Sequence, residues 1–164
     1  SLGLVGSEMC IRDSVKHIIP FVHLIHGVED ARLMDEIQKR ALAASRTVDV
    51  LLQVFIAREE TKHGLLPDEL LEALGTWPWR NWPNVRIRGL MGMATNTDDQ
   101  AQVVREFRAL RELFEQVNAG HVFPSDQFNV LSMGMSGDAS VAIAEGSSLV
   151  RIGTAIFGER EKNG

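Results

Sequence analysis

The sequence predicts a parallel α/β fold, and three observations predict it. Strand-like and helix-like segments alternate strictly, five times, which is the order that a parallel sheet with crossover helices requires. The segment from Val48 to Ile56, VDVLLQVFI, is too uniformly apolar for a half-exposed strand and suits a parallel strand covered on both faces. Between such strands, apolar residues recur at intervals of three and four, the stripe of a helix packed on a sheet. With 164 residues, 45% of them hydrophobic, the chain has enough material for one domain with a real core and too little for two comfortable ones.

Taken in order, Phe21 to Val28 reads as the first strand. Its His23 and His26 invite a metal-site reading, but side chains at i and i+3 of a strand point to opposite faces. Two ordinary histidines are the better reading, and His26 stands near the end of the strand from which it would approach a pocket. Asp30 to Ala44 carries Leu33, Met34, Ile37 and Ala41 on one helical stripe. After the strand from Val48 to Ile56, the loop Arg58 to Pro67 contains Lys62, either a solvated side chain or one that meets an entering ligand. A short helix, Asp68 to Leu74, leads to Trp77, Trp79 and Trp82 in a Pro-punctuated connection. No basic setting surrounds these tryptophans, so they are read as packing rather than as a base-stacking platform. Val85 to Ala94 is a strand with Arg86 and Arg88 at its wet start and Met91 and Met93 toward its end, where they are either wall beside a ligand or plain core. Thr97, Asp98 and Asp99 open the longest helix, whose apolar face is Val103, Phe107, Leu110, Phe114 and Val117.

The last stretch, Asn129 to Arg160, carries the chemistry. It reads as strand, turn, short helix and a second strand from Leu149 to Phe157. The turn SMGMSGD brings backbone close to a ligand, and its Asp138 is placed to cap the following helix. On the last strand Arg151 precedes Gly153 and Thr154: a cation, an open backbone and a hydroxyl, which together suit an anion such as phosphate. A plain tight turn explains the Gly-Thr pair equally well on spacing alone.

As a string, SMGMSGD followed by EGSSLVRIGTAIFGER resembles the C-terminal signature of the pyridoxal phosphate homeostasis proteins, the YggS/PROSC family. GLMGMAT is a second match, and VKHIIPFVHLIHGVEDARL a third. The resemblance implies a (β/α)8 TIM-type barrel like the N-terminal domain of alanine racemase, here its last five or so β/α units, with pyridoxal 5'-phosphate (PLP) as cofactor. It also implies that Ser132, Gly153 and Thr154 hold the phosphate and that Arg151 faces the pyridine nitrogen. The family's Schiff-base lysine lies before the point where the resemblance begins, near Val15, so none of Lys16, Lys39, Lys62 and Lys162 is expected to replace it. Where the family commonly has asparagine, this chain has Phe55, so either the local lining differs or the ring faces away.

Residues 1–14, SLGLVGSEMCIRDS, match nothing in that family and resemble translated sequencing adaptor; a lineage-specific leader is the alternative. The expected organisation is therefore a non-native or disordered leader at 1–14 and an incomplete PLP-binding barrel domain at 15–164. About three barrel strands are expected to be missing, which would expose two sheet edges through which the chain would associate.

The net charge of −5 argues against a nucleic-acid binder. The single Cys10 excludes an internal disulfide, and no apolar run is long enough to span a bilayer, so a cytoplasmic protein is expected. Two functions follow from the resemblance: a non-catalytic protein of PLP homeostasis, whose partners are PLP and PLP-requiring apoenzymes, or a PLP-dependent racemase-type enzyme. The fragment as given would be inert if the missing lysine is essential. No metal site is expected.

Overall fold

The computed structural model describes residue 15, residues 17–58, 63–153, 156 and 158. Residues 1–14 with Cys10, and also Lys16, Lys62, Thr154, Phe157 and Lys162, lie outside the described residues.

Five strands, β1 (Leu24–Val28), β2 (Val48–Val54), β3 (Val85–Gly92), β4 (Val130–Met135) and β5 (Leu149–Arg151), form one sheet in sequence order. Every pairing is parallel. Four helices cross between them: α1 (Ala31–Ala43), α2 (Pro67–Thr76), α3 (Gln100–Ala119) and α4 (Ala139–Ala144). This is a curled, partial (β/α)8-type barrel, in which β1 and β5 are the edges of the described sheet.

Local chemistry sets the helix starts. The Asp30 carboxylate accepts from the Leu33 amide at 2.6 Å, and the Asp99 carboxylate accepts from the Gln102 amide at 3.2 Å, each satisfying a donor that the first turn leaves free. At α2 the Glu69 carboxylate reaches back to accept from the Leu66 amide at 2.8 Å, one half of a capping box, and Pro67 occupies the first turn, where no amide is needed.

The core lies between sheet and helices. It contains Val48, Val50, Leu52 and Val54 of β2, Leu33, Met34 and Ile37 of α1, and Val103, Phe107 and Leu110 of α3. Leu51 and Met91 are also buried, at 0% and 2% exposure, yet stand outside that helix-side cluster. Alternation along the strands puts them on the opposite face, the barrel interior. Asp49, on the same inner face as Leu51, accepts from Arg86 at 2.6 Å and Arg88 at 2.8 Å.

The tryptophans pack, as their setting suggested. Trp77, Trp79 and Trp82 contact one another with centroids 5.3 to 6.0 Å apart, Trp79 meets Phe123 edge-on at 5.2 Å, and the Trp82 indole donates to Asp35 at 2.7 Å. These residues precede β3 and β4 and pack against the helix-side core, on the flank of the barrel toward its N-terminal end.

Several boundaries differ from expectation: β3 ends at Gly92 rather than Ala94, α2 runs Pro67–Thr76 rather than Asp68 to Leu74, and three further strand ends have a visible cause. β1 begins at Leu24 because Phe21 lies in a turn, its amide donating to the Ile18 carbonyl at 3.0 Å. β2 ends at Val54, where the chain binds the returning loop: Leu65 donates to the Gln53 carbonyl and Phe55 to the Leu65 carbonyl, each at 2.8 Å. β5 ends at Arg151 rather than continuing through Gly153, whose carbonyl instead accepts from Ile156 at 2.9 Å.

Candidate functional site

The site is built at the C-terminal end of the strands, on the inner face of the sheet. Gln53, Met91, Ser132 and Leu149 share one rung across β2 to β5. Arg151 stands one step further along, opposite Met135. His26 reaches the interior from β1, between Ile25, which pairs with Val50, and Val28, which pairs with Leu52.

Glycines let the backbone make these turns. Gly134 has φ +97°, and a Cβ there would come within 2.5 Å of the Ala142 Cβ, so the small residue is what allows α4 to lie against β4. Gly27, at φ +81°, leaves room for the Gln53 side chain, whose amide oxygen would sit 2.7 Å from a Cβ. The Gln53 amide nitrogen donates to the His63 carbonyl at 2.7 Å, which fastens the returning loop to the mouth of the barrel.

Polar groups on this inner face lack partners. Ser132 is fully buried and its hydroxyl has no hydrogen bond; neither do Arg151 Nε and Nη2, His26 Nδ1 and Glu29 Oε2, all of them buried atoms. Buried groups of this kind are normally satisfied, and a set of unsatisfied ones facing one space marks a place where a polar ligand would complete them. Burial pushes the Arg151 pKa below its ordinary range, against the opposing charge of Asp138. Burial and then the Arg151 charge push the His26 pKa down to about 4. Burial raises the Glu29 carboxyl, with His63 opposing and Asp30 adding to the rise.

At the mouth, the Gly153 amide donates to the Ser136 hydroxyl at 3.2 Å, and nothing lies within 4 Å of where a Gly153 Cβ would be. That bond leaves the Ser136 hydroxyl proton free to donate, and such a hydroxyl beside a sterically open backbone is compatible with an anion. The structure therefore brings Ser132, Arg151 and Gly153 to the same end of the barrel, while Thr154 lies outside the described residues. Ser136 escaped the sequence reading as a donor, although it stands in the SMGMSGD turn that was singled out. Glu29 and Gln53 carried no local signal.

Two residues act differently from expectation. Asp138 occupies the N-cap position of α4, but its carboxylate accepts from the Met135 amide at 2.6 Å and makes no bond into the helix. It closes the turn instead. Ser147 and Ser148 of the EGSS run are stitching groups: the Ser148 hydroxyl accepts from Leu131 at 2.8 Å and the Ser147 hydroxyl donates to the Met133 carbonyl at 2.8 Å, joining the chain before β5 to β4. His23 is exposed and precedes β1 whereas His26 points inward, and among the described residues no group of three or more potential ligands gathers for a metal. Phe55 is half-buried just past β2.

Comparison with known proteins places these features in context. Residues 9–161 match the family described as "Alanine racemase, N-terminal domain". Among curated proteins, the chain is 40% identical over 153 residues to the pyridoxal phosphate homeostasis protein of Aquifex aeolicus, covering 91% of this chain and 63% of that one. It is 39% identical over 133 residues to the protein of the same name from Haemophilus influenzae, covering 81% and 54%. The chain thus spans between 54% and 63% of the length of these relatives. Among solved structures, PipY of Synechococcus elongatus with PLP bound superposes with a TM-score of 0.77 at 26% identity, covering 96% of this chain and 68% of that one. An alanine racemase of Clostridium difficile, at 12% identity and a TM-score of 0.67 over 42% of its length, shares the fold.

Proposed function

Since the chain belongs to the alanine racemase N-terminal domain family, we propose that its inner-face site takes pyridoxal 5'-phosphate. The observation that carries this reading is the buried Ser132 hydroxyl and the buried Arg151 donors, all without partners at one end of the barrel. A phosphate offers acceptors and a pyridine nitrogen offers one more, so this donor set suits a phosphorylated heteroaromatic ring. Bound PLP supplies an aldehyde and an electron-poor ring.

The chain's own part is to hold and orient. The Ser136 and Ser132 hydroxyls donate to the phosphate beside the open backbone at Gly153, and the resemblance adds the Thr154 hydroxyl. Arg151 presents an N–H to the ring nitrogen. Leu51 and Met91, buried in the interior, exclude water below the ring.

The relatives' name supports a role for the whole protein in PLP homeostasis; a cytoplasmic location and PLP-requiring apoenzymes as recipients are further parts of this proposal. Among the described residues no helix is long and apolar enough to cross a membrane.

Titration of the purified chain with PLP, followed by visible absorbance, tests this reading. A saturable change that inorganic phosphate competes away, and that pyridoxal without its phosphate reproduces only weakly, is expected. Absence of saturable binding overturns the reading for this chain. Borohydride reduction with peptide mapping then reports whether any lysine is modified; the expectation from the resemblance is that none is.

A further inference from the structure

The last β-α-β unit, which carries Ser132, Arg151 and Gly153, is built around a helix too short to hold itself. α4 has 6 residues, fewer than an isolated helix needs to form in water, and the Asp138 carboxylate at its start is committed to the Met135 amide. Its other end carries Glu145. A carboxylate at a helix C-terminus opposes the helix dipole, and Glu145 is only 8% exposed, so it needs a cation. α3 supplies one. Arg108 Nε donates to one Glu145 carboxylate oxygen at 3.1 Å and Nη2 to the other at 2.9 Å, the two-pronged geometry in which such pairs are strongest. Arg111, three residues on and on the same face of α3, stands 3.9 Å from that carboxylate. It also packs beneath the next residue: a Cβ on Gly146, at φ +96°, would lie 3.2 Å from the Arg111 Cδ. The acidic neighbours on α3 are Glu112, whose charge acts on Arg108, and Glu115, 3.7 Å from Arg111 Nε.

Two residues beyond Glu145 the chain reaches the inner-face site. The Ser147 hydroxyl donates to the Met133 carbonyl at 2.8 Å. The Ser148 hydroxyl accepts from the Leu131 amide at 2.8 Å, and the Ser148 amide donates to the Leu131 carbonyl at 2.9 Å. Leu131 and Met133 flank Ser132, and Leu149 is paired with Ser132 across the β4–β5 ladder. Fixing the Glu145 end of α4 therefore fixes both the backbone that carries Ser132 and the strand that leads to Arg151.

Resting on the PLP reading above, we propose that Arg108 and Glu145 are positioning residues for the cofactor site. Their ion pair ties α4 to α3 and so holds Ser132 and Arg151 in the spacing at which both reach one ligand. The pair acts from the helix side of the sheet, through the backbone of residues 145–149 and not by contact with the ligand.

Two arms test the proposal. With PLP as the probe, Arg108→Met and Glu145→Gln are compared with Trp82→Phe, which loses a buried bond to α1, at a temperature where circular dichroism shows every variant folded. Each variant of the pair is expected to bind about tenfold more weakly than the original protein, and the double variant no more weakly than either single one, because the pair acts as a unit. If Arg108→Met fails to fold, Arg108→Lys, which keeps the charge and loses the fork, takes its place with an expected loss of about threefold. Trp82→Phe is expected to stay within about twofold of the original affinity. Unchanged affinity in the pair variants, additive losses in the double variant, or an equal loss in Trp82→Phe overturns the proposal.

Without ligand, amide hydrogen exchange in the Arg108 variant is expected to accelerate about tenfold at Leu131, Ser147 and Ser148, while Val50 and Leu52 of β2 keep their rates. Exchange that is unchanged at the two serines, or that rises equally in β2, overturns the proposal. Absence of saturable PLP binding by the original protein overturns the PLP reading instead, and the exchange arm then decides by itself whether the pair holds residues 145–149 against β4.

Discussion

Ser132 is a hydroxyl held at zero exposure with nothing to bond, and such a group costs stability while it waits for a ligand. Ser132→Ala is therefore expected to leave the melting temperature unchanged or to raise it, by up to about 1 kcal/mol of stability, while weakening PLP binding about tenfold. A structural serine would show the opposite pattern, and thermal unfolding with and without PLP separates the two. His26 gives a pH prediction. Its folded pKa of about 4 lies below the ordinary 6.5, so the unfolded chain takes the proton first. The His26 contribution is whole above pH 6.5 and is lost as pH falls from 6.5 toward 4, by up to about 3 kcal/mol. Glu29, with a raised carboxyl, acts in the reverse sense, losing stability as pH rises through its range. The difference between the original chain and His26→Phe in urea unfolding across pH 4 to 7 isolates the histidine, and the variant is expected to show the flatter acid limb. At this scale the sequence showed Arg151 and Ser132 through their string, whereas Glu29 and Gln53 left no trace, because a lone polar residue next to a strand end is common and its partners are far away in sequence.

At the scale of elements, the stretch that carries the chemistry is also held together by its own small residues. Gly134 admits α4 against β4, Asp138 closes the turn onto Met135, and Ser147 and Ser148 join the approach of β5 to β4. The same logic governs β3. Gly89 sits at φ +154°, and a Cβ there would fall 1.7 Å from the Val130 carbonyl oxygen, inside the β3–β4 pairing. Gly89→Ala is expected to cost more than about 4 kcal/mol, because backbone rather than a flexible side chain must give way, and urea unfolding would show it as a large fall in midpoint. A change of under about 1 kcal/mol would mean that the two strands separate more easily than their register implies. Helices and strands were legible from periodicity, since α1 buries the Leu33, Met34, Ile37 and Ala41 predicted for it and β2 is covered on both faces. The early ends of β2 and β5 were not legible. The apolar runs continue past the point where the ladder stops, and what stops it is a bond from a distant loop or a turn beyond the strand.

The whole molecule separates its two ends. The aromatic cluster of Trp77, Trp79, Trp82 and Phe123 packs against the helix-side core before β3 and β4, while the unpartnered Ser132, Arg151 and His26 atoms lie on the strands toward their C-terminal ends, the end that carries the site in this barrel class. Trp82→Phe, which removes the indole bond to Asp35, is expected to lower stability by about 1–3 kcal/mol and to leave PLP affinity within about twofold. A parallel loss of affinity in the folded variant would show that the two ends are coupled. The sequence by itself determined the order of elements, the parallel sheet, the family likeness and the residues of the last β-α-β unit, because these rest on short-range periodicity and on a contiguous string. Only the tertiary structure decided that Gln53, Met91, Ser132 and Leu149 from four strands share one rung, and that the His26 and Arg151 side chains of the two edge strands are both buried without partners. Irregularities near Gly27, Gly89 and Gly134 shift the register that alternation would extrapolate. The curl that brings the two edges of the sheet together is a sum of small twists over five strands, which no single segment encodes.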